Sequence, residues 1–285
     1  MGVVTAYIFA AVGRSAALHK VAPTIDHRGV GSIRDGVPAP VPDTNPDANL
    51  ISSADLRWSF GGKSQRGWLI YAPLVSHMLR TSDAVGTNGF SRAVGRWQEA
   101  RALRKTGVID SETWFSIIGA LQSARVKDRS HPSDNDLIEA PPSEIYDPER
   151  PAALRRVEKG AYAAYKRLLT GAMKDRSLGL RVTRAGALDP SEKYLKIVSA
   201  FRTRDYQDQL RKASPHSGSA GLAVNSPHFT GRALDLYVGG EPVNTSDSNR
   251  LLQTRTPVYR WLVKNAEKFG FHPYFYEPWH WEYVR

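Results

Sequence analysis

Residues 226–236 read SPHFTGRALDL, and residues 276–283 read YEPWHWEY. These two stretches gather the side chains that move protons and hold metals. Asp235 stands in a run that alternates like a strand, with Ala233, Asp235 and Tyr237 on one face and Leu234, Leu236 and Val238 on the other. A carboxylate in an otherwise apolar strand must be paired, hydrogen-bonded or bound to a metal. Gly231 allows a tight turn between His228 and this strand, so the two side chains can converge on one point. The closing strand adds His280, with Glu277 three residues before it. Two neutral imidazoles and a carboxylate can hold a divalent ion in a tetrahedral frame and leave one position for water. Zinc lowers the pKa of such a water towards neutrality. Glu277 is then placed to take the proton and hand it on.

An internal comparison helps. The tripeptide SPH occurs twice, ending at His216 and at His228. Only the second is followed by glycine after three residues and a carboxylate after seven, so His216 reads as a loop residue. His272, before a proline at a helix-to-strand turn, reads as structural. Glu282 shares the strand face of His280; it either supports that histidine or is solvated.

The elements that must carry these residues lie after Pro151. "ALRRVEKGAYAAYKRLLTGAM" predicts a helix, "YLKIVSAF" a strand and "RDYQDQLRKA" a helix. "GRALDLYV" is a strand, "TPVYRWLVKNAEKFG" a helix ending at Gly270, and "WHWEYV" a final strand. Upstream, residues 65–123 carry helical spacing in "APLVSHMLR" and "SRAVGRWQEARALR". In "GVIDSETWFSIIGALQ", Asp110 is the expected N-cap of a helix bearing Trp114, Ile117, Ile118 and Leu121. Two stretches rich in Pro, Asp, Ser and Asn separate these regions. Residues 1–64 read as a degenerate signal and disordered linker, and 124–150 as a linker at a domain boundary. The apolar run Val3–Val12 has its first basic residue, Arg14, after it rather than before it, which is weak as an export signal.

Composition narrows the chemistry. The 285 residues contain no cysteine, which excludes thiolate nucleophiles, disulfides and cysteine-ligated zinc. No run of 18 apolar residues is present, so no integral membrane span is expected. The formal net charge of +11 favours acidic partners. The basic residues are spread without an aromatic-interleaved stripe, so nucleic acid is not the expected partner.

"SPHFTGRALDL" resembles the S-x-H-x-x-G-x-A-x-D signature of the D-alanyl-D-alanine metallopeptidases of the VanX/VanY type. "EPWH" resembles their E-x-W-H, and "SAFRTRDYQDQL" their S-G-Y-R-S stretch with its following helix. The three occur in family order over about residues 152–285. The resemblance implies an α+β fold: a hedgehog/DD-peptidase-like zinc domain at 151–285, with an antiparallel sheet and flanking helices. It implies Zn2+ held by His228, Asp235 and His280, Glu277 as general base and acid, Arg202 as stabiliser of the oxyanion, and Ser226 as a substrate contact. Ala200 and Phe201 stand where the family has glycine and tyrosine, so a tyrosine hydroxyl contact is missing. "AVGRWQEARALRKTGVIDSETW" resembles the second half of a peptidoglycan-binding domain, which implies a small three-helix module with Trp97 in its core.

Together the resemblances imply an extracytoplasmic enzyme, in periplasm or cell wall, acting on peptidoglycan stem peptides. The expected reaction is removal of the terminal D-Ala. The alternatives are an endopeptidase cutting within the stem or cross-bridge, and a non-catalytic wall-binding protein with an idle site. An intact Glu277 argues against the last. The loop at 211–225 is where carboxypeptidase and endopeptidase would differ. Oligomeric state is not legible.

Overall fold

The computed structural model describes residues 46–213 and 224–284. The apolar run at Val3–Val12, His216 and most of the 211–225 loop lie outside the described residues. The chain opens with helix α1 (Asp47–Asp55) and a hairpin of β1 (Arg57–Phe60) and β2 (Lys63–Arg66). Helices α2 (Ala72–Met78), α3 (Asn88–Glu99) and α4 (Ser111–Ser123) follow. Strands β3 (Leu137–Glu139) and β4 (Arg156–Glu158) pair antiparallel and lead into helix α5 (Lys159–Lys174). Then come β5 (Ile197–Ser199), α6 (Arg204–Ala213), β6 (Ala233–Leu236), α7 (Asp247–Arg255), α8 (Pro257–Asn265), β7 (Phe271–Pro273) and β8 (His280–Tyr283). The last four strands form one antiparallel sheet in the order β5-β6-β8-β7.

Residues 46–64, expected as disordered linker, fold instead. Asn49 is fully buried. Its amide donates to Ser91 Oγ at 3.1 Å and to the Gly107 carbonyl at 2.8 Å, and its Oδ1 accepts the Ile109 amide at 3.0 Å. Helix α1 is therefore docked by polar side chains rather than by an apolar stripe, and periodicity could not show it. The hairpin turns on Gly61 and Gly62, both at positive φ, as a two-residue loop between right-twisted strands requires.

The segment 124–150, expected as linker, is also part of the packed structure. Its composition is that of a loop, but its few apolar residues, Leu137, Ala140 and Ile145, are all buried. Leu137 sits in the β3–β4 pair, and Ile145 bridges to Ile197 in parallel register. That pairing also shortens the predicted helix after Pro151. Arg156–Glu158 joins the strand pair, and Glu158 then caps α5 by accepting the Ala161 amide at 2.8 Å.

The caps and stripes of the upstream helices follow the sequence. Asp110 accepts the Thr113 amide at 2.8 Å, and Phe90, Ala93, Val94 and Trp97 line the buried side of α3. These helices share a core with the C-terminal region. Phe275 lies against Phe60, Trp58, Tyr71 and Trp114, with ring centroids 4.8 to 6.5 Å apart. The buried Arg250 of α7 donates to Tyr71 Oη at 2.7 Å.

The sheet register positions the chemistry. Ser199 lies opposite Asp235, Asp235 opposite His280, and Ala233 opposite Glu282. These residues share one face. The other face carries Leu234, Leu236, Trp281 and Phe271, all buried, with Tyr259 of α8 edge-on to Trp281.

Candidate metal centre

Ser226 begins a short 3-10 turn, Pro227–Thr230, and its hydroxyl accepts the His228 amide at 3.3 Å. The turn ends at Gly231, with φ +65°. A Cβ there would fall 2.9 Å from the Glu158 amide nitrogen, so this position needs glycine for space and for conformation. The turn delivers His228 against the face of β6. A second turn closes the chain on the other side: the His280 amide donates to the Glu277 carbonyl at 2.9 Å, which sets Glu277 and His280 side by side.

One ligating atom from each of His228, Asp235 and His280 lies within 4.8 Å of the others. His228 Nε2 is 3.3 Å from Asp235 Oδ2, and His280 Nδ1 is 2.9 Å from Asp235 Oδ1. All three are buried. The far side of each ring is held by an acceptor. His228 Nδ1 donates to the Ala200 carbonyl at 2.6 Å, and His280 Nε2 contacts Glu282 Oε1 at 3.1 Å. A carbonyl can only accept, so the Nδ1 proton of His228 is fixed and its Nε2 lone pair faces the centre. Two oriented imidazoles and one carboxylate, each backed by a partner, suit a divalent ion such as zinc.

Glu277 Oε2 is 3.9 Å from His280 Nδ1. Arg202 Nη2 is 3.1 Å from Asp235 Oδ2, and the same guanidinium donates twice to Ser199 Oγ, at 3.1 and 2.9 Å. The structure thus brings five of the six expected residues into one cluster. The sixth, Ser226, is buried beneath it with its hydroxyl engaged in the His228 turn.

Burial and partners set the charges. Burial pushes the Glu277 carboxyl up to about 7, against the pull of His280, while Asp235 adds to the rise. Burial and the Arg202 guanidinium lower His228 to about 4. Burial works against protonation of His280, but its bonds to Asp235 and Glu282 prevail and raise it to about 9. Burial disfavours the Asp235 carboxylate, yet the two imidazoles hold its pKa well below the usual range.

Several contributors were not legible as such. Ser199 and the Ala200 carbonyl lie within the quoted "SAFR", and only the register shows that they fix Arg202 and His228. Glu282, left open between support and solvation, is fully buried against His280. Arg150, from the presumed linker, lies near Arg202, Tyr206 and Asp235, and its burial lowers its pKa.

Residues 183–285 match the family model described as VanY, D-alanyl-D-alanine carboxypeptidase. No curated protein matches the chain. A solved structure described as the LdcB LD-carboxypeptidase, and as revealing the molecular basis of peptidoglycan recognition, is 23% identical with a TM-score of 0.34. The match covers 56% of this chain and 72% of that one. The family match begins at 183, not 152, and includes Arg202, Ser226, His228, Asp235, Glu277 and His280. Residues 183–285 are thus similar to the VanY-type D-alanyl-D-alanine carboxypeptidase family.

Proposed function

We propose that the protein is a zinc-dependent peptidoglycan peptidase that removes the terminal D-Ala from stem peptides. One observation carries the reading: a buried His228–Asp235–His280 group with a carboxyl of raised pKa, Glu277, against it. A purely structural metal site has no need of that fourth group. A zinc ion held there would supply a Lewis acid that activates water at neutral pH.

The remaining roles belong to the chain's own side chains. Glu277 accepts a proton from the attacking water and returns it to the leaving amine; its carboxylate, 3.9 Å from His280 Nδ1, stands beside the centre for both transfers. Arg202 is held by Ser199 and Asp235 beside the centre, where its charge stabilises an oxyanion developing on the scissile carbonyl. Ser226 caps the turn that delivers His228, its hydroxyl accepting the His228 amide at 3.3 Å. The basic charge suits an acidic wall polymer, and the upstream helices would hold the enzyme on it, raising the local concentration of stems. Such a substrate places the enzyme outside the cytoplasmic membrane. Among the described residues no helix is long and apolar enough to cross a membrane.

The test is the Glu277→Ala variant. It should retain zinc, measured by elemental analysis, and lose turnover of a stem pentapeptide. Persistent turnover would remove Glu277 from the mechanism. A wild-type protein without stoichiometric metal would remove the metal reading.

A further inference from the structure

The sheet face that carries Asp235 and His280 continues to Glu282, which is fully buried. Its carboxylate is surrounded. Oε1 meets His280 Nε2 at 3.1 Å and accepts from Arg125 Nε at 2.9 Å and Arg125 Nη2 at 2.5 Å. Oε2 accepts the Val126 amide at 2.9 Å and lies 3.6 Å from Arg129 Nη1. Arg125 is itself anchored: its Nη1 donates to Gln122 Oε1 at 3.1 Å, in the last turn of α4. Its guanidinium lies 4.0 Å over the ring of Tyr274, which in turn packs edge-on against His280. The stretch from Gln122 to Arg129, where the chain leaves the helical region, is therefore fastened to the back of His280.

His280 presents one ring nitrogen to each side. Nδ1 faces Asp235 and Glu277, and Nε2 faces Glu282. A neutral imidazole carries one proton. Asp235 and Glu282 can each hold a proton on the nitrogen that faces them; a cation held between His228, Asp235 and His280 would displace the one on Nδ1, and the Glu282 carboxylate, with no proton to give, would keep the remaining one on Nε2 and leave the Nδ1 lone pair for the cation. The charged acceptor also makes Nδ1 a better donor to a cation. A carboxylate buried this deeply keeps its place and its charge only with compensation, and the arginine fork and the Val126 amide supply it.

We infer that Glu282 and Arg125 are positioning residues of the metal site, fixing His280 with Nδ1 inward, and that the arm Gln122–Arg129 is a built-in part of that site. The inference rests on the metal reading proposed above. It makes the region upstream of the family match a requirement for tight metal binding.

The test uses the full chain with the variants Arg125→Met and Glu282→Gln. Lys166→Met, which removes the ion pair with Glu144 at a place outside this network, is the control. Zinc affinity is measured by competition with a chromophoric chelator, and ligand geometry by the visible spectrum of the cobalt-substituted proteins. Both site variants should bind zinc about ten- to a hundred-fold more weakly and show an altered cobalt spectrum, as loss of a ligand's supporting partner typically does. The control should change neither. If Arg125→Met does not fold, Glu282→Gln, which removes the charge that Arg125 neutralises, carries the test. Zinc affinity within about twofold of wild type, with an unchanged cobalt spectrum, would show the network to be structural only and overturn the inference. A wild-type protein that binds no zinc would instead bring down the metal reading itself, and this inference with it.

Discussion

Replacing Glu277 with glutamine makes a quantitative test of the site. Burial raises the carboxyl from the ordinary 4.5 to about 7. Each unit corresponds to about 1.4 kcal/mol, so forcing this group to ionise in the folded protein costs about 3 kcal/mol. The sign follows from proton binding. Between pH 4.5 and 7 the folded protein holds a proton that the unfolded chain has released, so wild-type stability falls as pH rises through that window and is flat above it. Glutamine mimics the neutral form at every pH. Without metal, the variant and wild type should therefore have similar stability near pH 4. The variant should be about 3 kcal/mol more stable at pH 8, or about 6–12 °C in Tm for a chain of this size. Denaturant melts of chelator-treated protein at a series of pH values measure the gap. A gap that is absent, or that opens in the opposite direction, would refute the claim that Glu277 is a desolvated carboxyl held beside the centre. A bound divalent cation favours the ionised carboxylate, so the acid limb of the activity profile should lie below pH 7 in the loaded enzyme.

Three further outcomes follow from particular residues. Asn49→Ala leaves the Gly107 carbonyl and the Ile109 amide without their buried partner. It should cost about 2–3 kcal/mol in a denaturant melt, whereas a loss below about 0.5 would mean that α1 is not part of the core. Gly231→Ala forces a side chain into φ +65° against Glu158. It should cost about 1–2 kcal/mol or more by the same measurement, and it should also weaken metal binding by displacing His228. Arg202→Met should lower kcat about a hundredfold or more with zinc retained; an unchanged kcat would assign Arg202 to the ion pair with Asp235 alone.

The site was largely legible in the sequence because its chemistry is local. A histidine, a glycine three residues on and an aspartate seven residues on define a turn entering a strand. Glu277 and His280 are set by one further turn. The supporting shell was not legible, because it is made by register and by distance along the chain. Glu282 meets Arg125 across 157 positions, and Arg202 meets Asp235 across 33 because β5 runs beside β6. The two segments read as linkers failed for a common reason. Asn49 and Ser52 dock α1 through polar atoms, and Leu137, Ala140 and Ile145 are isolated apolar residues in a polar, proline-rich stretch. Neither pattern produces a hydrophobic period. The helices of 72–123 do produce one, and there Thr87 and Asp110 cap the helices that the period predicts.

The central claim is metal-dependent cleavage of stem peptides, and mass spectrometry of purified pentapeptide muropeptides tests it most directly. The muropeptides would be incubated with the protein alone, with a chelator, and with the chelator followed by added zinc. The account predicts loss of a single D-Ala, stopped by the chelator and restored by zinc. Cleavage within the stem or the bridge would keep the metal centre and contradict the carboxypeptidase assignment. Intact muropeptides from zinc-loaded protein would contradict the enzymatic reading.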